Sequence, residues 1–148
     1  MSGDPPASLS GPVVTDASVV VEYLVELTHA EAATKLFHLA ADGRVELWAP
    51  DLVYTESASA LRKLVRLGAI PDSPATVAVG YLGQLPISAT GSAALMPAVW
   101  RMRTLLTPYD ACYVALADEL DATFVTAERD LAVELRKRGK RARYLGHL

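Results

Sequence analysis

The alternation of short apolar runs with helical segments constrains this chain most. Val13-Val14-Thr15, residues 45–49, Thr123-Phe124-Val125-Thr126 and Arg143-Tyr144-Leu145 read as buried strands, with Pro86-Ile87-Ser88 as a shorter one. Between them lie residues 17–27, 30–41, 50–67, 71–85, 92–106, 108–120 and 129–138, which carry helical spacing or helix start and stop signals such as Asp42-Gly43, Gly68 and Gly139. Parallel neighbours need crossovers, and those crossovers are right-handed, so the alternation implies an α/β sandwich with a central parallel sheet. At 148 residues the chain fits one domain. That domain is expected over residues 12–148, after a flexible Ser-, Pro- and Gly-rich lead-in at 1–11.

In such sheets the ligand crevice lies at the carboxyl ends of the strands, and acids stand there. Asp16 directly follows Val13-Val14-Thr15, and Glu128 follows the strand ending at Thr126. Asp110 is the third residue of a helix capped by Thr107 and opened by Pro108, where the dipole favours negative charge. Glu56 lies on the shoulder of the stripe formed by Val53, Ala60, Leu61 and Leu64. Four carboxylates from four segments are thus expected to meet at one edge of the sheet. Each also has a plainer reading: Asp16 as an N-cap, Asp110 as a first-turn acid, Glu56 and Glu128 as solvated helix acids.

Carboxylates gathered in a crevice repel one another, and a buried one without a partner costs several kcal/mol. A divalent cation resolves the conflict. Oxygen donors without a His or Cys cluster suit Mg²⁺ or Mn²⁺ rather than Zn²⁺, and Mg²⁺ takes one or two carboxylates together with water and substrate phosphate. That is the chemistry of metal-assisted phosphodiester hydrolysis.

The blocks around these acids are Val14-Thr15-Asp16-Ala17-Ser18, residues 50–56 ending in Glu56, residues 109–117 containing Asp110, and Phe124-Val125-Thr126-Ala127-Glu128-Arg129-Asp130-Leu131. In order and spacing they resemble PIN-domain ribonucleases, and among these the VapC toxins of bacterial toxin–antitoxin pairs. The resemblance runs from Val13 to about Leu145. It implies a three-layer α/β/α, PIN-like nuclease domain: a Mg²⁺- or Mn²⁺-dependent endoribonuclease, commonly a homodimer, that blocks translation by cutting RNA and is silenced by a cognate antitoxin. Carried over, Asp16 and Asp110 are the principal metal ligands and Glu56 the third acid. Where the family usually has Thr-x-Asp, this chain has Thr126-Ala127-Glu128. Glu128 or Asp130 is then the fourth acid, and Thr126 and Ser18 are supporting hydroxyls or helix caps.

Charge is distributed unevenly. Residues 1–135 hold all 17 acids and 8 of the 14 basic residues, whereas Arg136, Lys137, Arg138, Lys140, Arg141 and Arg143 concentrate at the C-terminal end. That cluster either follows an RNA backbone or is a solvated helix end complementing the dipole. Val19, Val21 and Val25 fall outside the main stripe of their helix. With the helix at 30–41 they offer a groove for an antitoxin segment or a dimer face, unless the segment at 71–85 covers them. Cys112 in an apolar helix reads as core, and one cysteine closes no intramolecular disulfide. With no signal peptide and no apolar run of membrane-spanning length, a cytoplasmic protein with no membrane partner is expected. Two rival functions share these residues. A Mg²⁺-dependent phosphatase would use a strand-end Asp, but its usual second Asp is Ser18 here. A non-catalytic PIN-like interaction module would use the acids for docking.

Overall fold

The structure, a computed structural model, describes residues 8–148. Its strands β1 (Gly11–Thr15), β2 (Val45–Pro50), β3 (Ile87–Thr90), β4 (Thr123–Thr126) and β5 (Ala142–Tyr144) form one sheet in the order β3-β2-β1-β4-β5. Every neighbouring pair is parallel, with Val14 aligned to Trp48 on one side and Phe124 on the other. The helices are α1 (Ala17–Val25), α2 (Ala30–Ala41), α3 (Leu52–Arg66), α4 (Asp72–Tyr81), α5 (Met96–Arg101), α6 (Pro108–Leu120) and α7 (Arg129–Lys137). This is the α/β/α sandwich expected from the alternation.

Successive strand residues point to opposite faces, and both faces are covered. Val13, Val45, Leu47 and Val125 pack with Val19 of α1 and with Leu36 and Phe37 of α2. Val14, Ala49 and Phe124 pack on the other face with α6. Residues 111–117 of α6 are all buried, because a helix apolar on every side belongs inside a core. The polar strand residues Glu46 and Ser88 are exposed, in β2 and in the edge strand β3.

The strand order reverses at β1, with β2 and β3 on one side and β4 and β5 on the other. Crossovers leaving in opposite directions open a crevice at the carboxyl ends of β1 and β4. Asp16 is the first residue past β1 and Glu128 the second past β4.

Three expectations change. The helix expected at 92–106 is a single 3-10 turn, Ala93–Leu95, followed by the short α5, and residues 102–106 are turns. The chain must reverse there to pack α5 against α6, and the residue before Pro108 is driven out of helical geometry. Gly11, assigned to the lead-in, begins β1 with φ of 70°, and Leu9 packs in the core. Residues 1–7 of that lead-in lie outside the described residues. The third change concerns the valines of α1, which line no open groove. Val19 is buried against the sheet, while Val21 packs with Leu61 and Ala78 of α3 and α4, with Val25 against the same cluster. The segment at 71–85 does cover that side.

Candidate active site

Asp16 is held by three groups from two segments. Its Oδ1 accepts from Ser18 Oγ at 2.5 Å and, at a long 3.4 Å, from the amide of Val19. Oδ2 accepts from Thr126 Oγ1 at 2.7 Å. Each hydroxyl in turn accepts a backbone amide from the loop after β4: Ala127 N–H donates to Ser18 Oγ at 2.9 Å, and Glu128 N–H donates to Thr126 Oγ1 at 3.1 Å. Both hydroxyl protons are therefore directed at Asp16, which fixes the carboxylate plane. Asp16 is the N-cap of α1 as well, so the two readings of this residue coexist. It is buried, and that desolvation pushes its pKa up to about 7, against the lowering effect of the Ser18 and Thr126 bonds.

The other acids approach from separate helices. Glu56 in α3 accepts a 2.6 Å hydrogen bond at Oε1 from the Tyr113 hydroxyl of α6. Burial raises the Glu56 carboxyl, and the charge of Asp110 adds to it. Asp110 sits in the first turn of α6, whose Thr107 cap accepts its amide at 3.2 Å. Burial raises its carboxyl too. Glu128 is an exposed residue, yet its carboxyl is raised by partial desolvation and then by the charges of Asp110 and Glu56. Glu128 acts in turn on Asp16. Asp130, in the exposed first turn of α7, is not among the charges acting on any of the four.

Glu128 thus stands within electrostatic reach of Asp16 on one side and of Asp110 and Glu56 on the other, while Asp130 sits on the exposed first turn of α7. No described Lys, Arg or His makes an ion pair with any of the four. Among the described residues, no three acidic, His or Cys side chains close into a ready-made metal cage. The acids sense one another's charge without converging on one point.

The C-terminal basic cluster lies elsewhere. Arg136, Lys137 and Arg138 lie at the C-terminal end of α7, and Lys140 and Arg141 precede β5, which puts them toward the amino ends of the strands, away from the crevice. Lys140 pairs with Asp118 at 2.6 Å, Arg141 with Asp121 at 2.5 Å and Arg138 with Glu134 at 2.9 Å. Arg136 donates to the carbonyl of Ala142. The solvated, ion-paired reading of this cluster is the one the structure supports. Cys112 is buried, and desolvation raises its thiol further from ionisation.

The PIN domain profile matches residues 13–134, a span that includes all four acids. The chain belongs to the PIN domain family. It is 31% identical over 127 residues to Ribonuclease VapC3 of Mycobacterium tuberculosis, a match covering 86% of this chain and 90% of the relative, which sets it among the VapC ribonucleases. Two solved structures share the fold. VapBC2 from Rickettsia felis, bound to a DNA fragment from their promoter, superposes with a TM-score of 0.65 at 12% identity, covering 90% of this chain and 98% of that one. Mycobacterium tuberculosis VapC20, described as a Sarcin-Ricin loop cleaving toxin, superposes with a TM-score of 0.58 at 14% identity, covering 82% and 93%.

Within this PIN domain, Tyr113 is the site residue that periodicity alone misassigns. Its spacing of three from Asp110 places both on one helix face, and that face reads as core. The ring is core, packed near Phe124, whereas the hydroxyl reaches Glu56. A Tyr rather than a Phe on a buried face next to a proposed acid is the signal, since a buried phenol seeks a partner.

Proposed function

We propose that this PIN domain is a Mg²⁺- or Mn²⁺-dependent endoribonuclease, the toxin of a toxin–antitoxin pair. The observation that carries this reading is the group of four carboxylates at the sheet's switch point, each with a raised pKa and none with a cationic partner. All the site donors are oxygens, which fits a hard divalent ion that keeps part of its water shell. Asp16 and Asp110 would hold that ion, with Glu56 and Glu128 completing the acidic rim. When bound, such an ion lowers the pKa of a water and neutralises charge building on a phosphate.

The chain's own groups prepare that chemistry. Ser18 and Thr126 orient both oxygens of Asp16, so the carboxylate does not reorganise when charge arrives. Tyr113 holds one oxygen of Glu56 and leaves the other free. Glu128 and Asp110, without side-chain hydrogen bonds among the described residues, remain available to water and ligand. The name of the VapC3 relative supports RNA as the substrate. The VapBC2 complex supports a cognate antitoxin as partner. A homodimer working in the cytoplasm completes the reading. No described helix is long and apolar enough to cross a membrane.

Mapping of cleavage ends in total RNA tests the reading. New ends should arise with Mn²⁺, vanish in excess EDTA, and be absent with Asp110→Asn of native-like circular dichroism. Undiminished cutting by that variant, or in EDTA, would sink the mechanism. Release of phosphate from small phosphomonoesters without RNA cutting would instead favour a phosphatase.

A further inference from the structure

Three cations share a cleft with a site acid and have no partner among the described residues. The cleft is about 550 Å³, and its lining runs along α3 from Glu56 past Ser59 to Arg62, Lys63 and Arg66. All three basic residues are exposed, and none makes an ion pair or hydrogen bond among the described residues. This contrasts with the larger basic cleft formed by Arg136, Lys140, Arg141 and Arg143, where each cation is already engaged. Glu56 and Arg66 are ten residues apart on one helix, about 15 Å at 1.5 Å per residue.

We propose that this α3 cleft is the track for the RNA backbone, with Arg62, Lys63 and Arg66 holding phosphates on one side of the bond to be cut. The proposal rests on the ribonuclease reading of the neighbouring acids. A chain with net charge −3 and four acids at its site repels a polyanion unless unpaired cations stand beside them. Paired cations contribute little, because binding phosphate would mean breaking an ion pair already made. Arg62, Lys63 and Arg66 carry no such penalty, and they line the same cleft as Glu56, about one to three helical turns along α3. They are positioning residues: they fix where the strand lies and touch no reacting atom.

Counterion release provides the test. Each phosphate contact to a single strand contributes about 0.7 to the slope of log affinity against log salt. Binding of a mixed-sequence, single-stranded oligoribonucleotide of about 12 nucleotides is measured across salt in the cleavage-inactive Asp16→Asn background. Adding R62Q, K63Q and R66Q together should lower the slope by about 2 and weaken binding about 100-fold at 0.1 M salt. The same triple change in the otherwise native enzyme should raise KM and leave kcat within a few-fold. A second triple variant, R136Q, R138Q and R141Q, should keep the native slope. An unchanged slope in the α3 variant with native-like circular dichroism overturns the proposal. So does normal RNA binding together with lost affinity for an acidic antitoxin peptide, which would make this a protein surface. If the native enzyme cuts no RNA, the ribonuclease reading fails, while the salt slope still reports on the track itself.

Discussion

The Thr126 hydroxyl donates to Oδ2 of Asp16 at 2.7 Å, joining residues 110 positions apart at the ends of adjacent strands. Thr126 Oγ1 also accepts the amide of Glu128, so one hydroxyl ties two site acids together. Thr126→Val keeps the branched shape but removes both functions. The bond to Thr126 lowers the Asp16 pKa, so its loss should move the acid limb of the pH–rate profile upward. Activity at pH 7 should fall about 10-fold and stability by about 1–3 kcal/mol. Thr126→Ser should restore most of both. A profile that does not move, recorded beside thermal melts, would reduce Thr126 to a packing residue.

Tyr113→Phe isolates the Glu56 contact. The ring stays in the core near Phe124, and only the 2.6 Å bond to Glu56 is lost. A hydrogen bond to a charged group contributes about 1.5–3 kcal/mol. Part of that reappears as freedom of the Glu56 side chain, so cleavage should slow by about 10-fold while the melting temperature changes little. Single-turnover cleavage alongside thermal melting separates the two effects. Loss of stability at full activity would make the phenol structural.

Glu128 and Asp130 are distinguished by the loop after β4. The amide of Glu128 is anchored on Thr126, and its carboxyl acts on Asp16. Asp130 begins the exposed face of α7. Glu128→Ala should therefore weaken cleavage at limiting Mn²⁺ by about 10-fold, and Asp130→Ala should leave it intact; equal metal titrations for the two would remove the fourth acid from the site.

The strand ends were legible because β1 and β4 are central strands whose apolar residues Val13, Val14, Phe124 and Val125 are buried. Val13-Val14-Thr15 had to stop where Asp16 begins, and Thr123-Phe124-Val125-Thr126 at the loop bearing Glu128. The α1 valines misled for the same reason seen from the other side. Val19 and Val21 looked surplus to one stripe because α1 is buried by the sheet and α2 on one side and by α3 and α4 on another. Periodicity counts apolar faces but not the elements that will cover them. The C-terminal cations left RNA contact open beside a solvated helix end because their partners Asp118 and Asp121 lie 20 or so positions away and meet them only after folding. The cations of α3, Arg62, Lys63 and Arg66, alternate with the apolar residues of their helix and read as its ordinary solvated face.

Asp16 sets how stability depends on pH. Its pKa is raised from 3.8 to about 7 by burial, so between these values the folded protein keeps a proton that the unfolded chain has released. Proton binding favours the state that holds the proton, and stability therefore falls as pH rises through this window. At about 1.4 kcal/mol per pH unit the full effect is on the order of 4 kcal/mol. Glu56, Asp110 and Glu128 act in the same direction, their carboxyls being raised as well, so the decisive quantity is the difference between the protein and Asp16→Asn. At pH 4 Asp16 is protonated in the fold, and the two should melt alike. At pH 8, without metal, Asp16→Asn should melt higher, because the amide carries no buried charge. Mn²⁺ should then narrow the gap by stabilising only the native protein, in proportion to the logarithm of its concentration over Kd. Asp16→Asn should be inactive throughout, so the same carboxylate that weakens the empty fold is the one the chemistry needs. A variant that melts below the native protein at pH 8 would mean that the hydrogen bonds of Ser18 and Thr126 already compensate the charge.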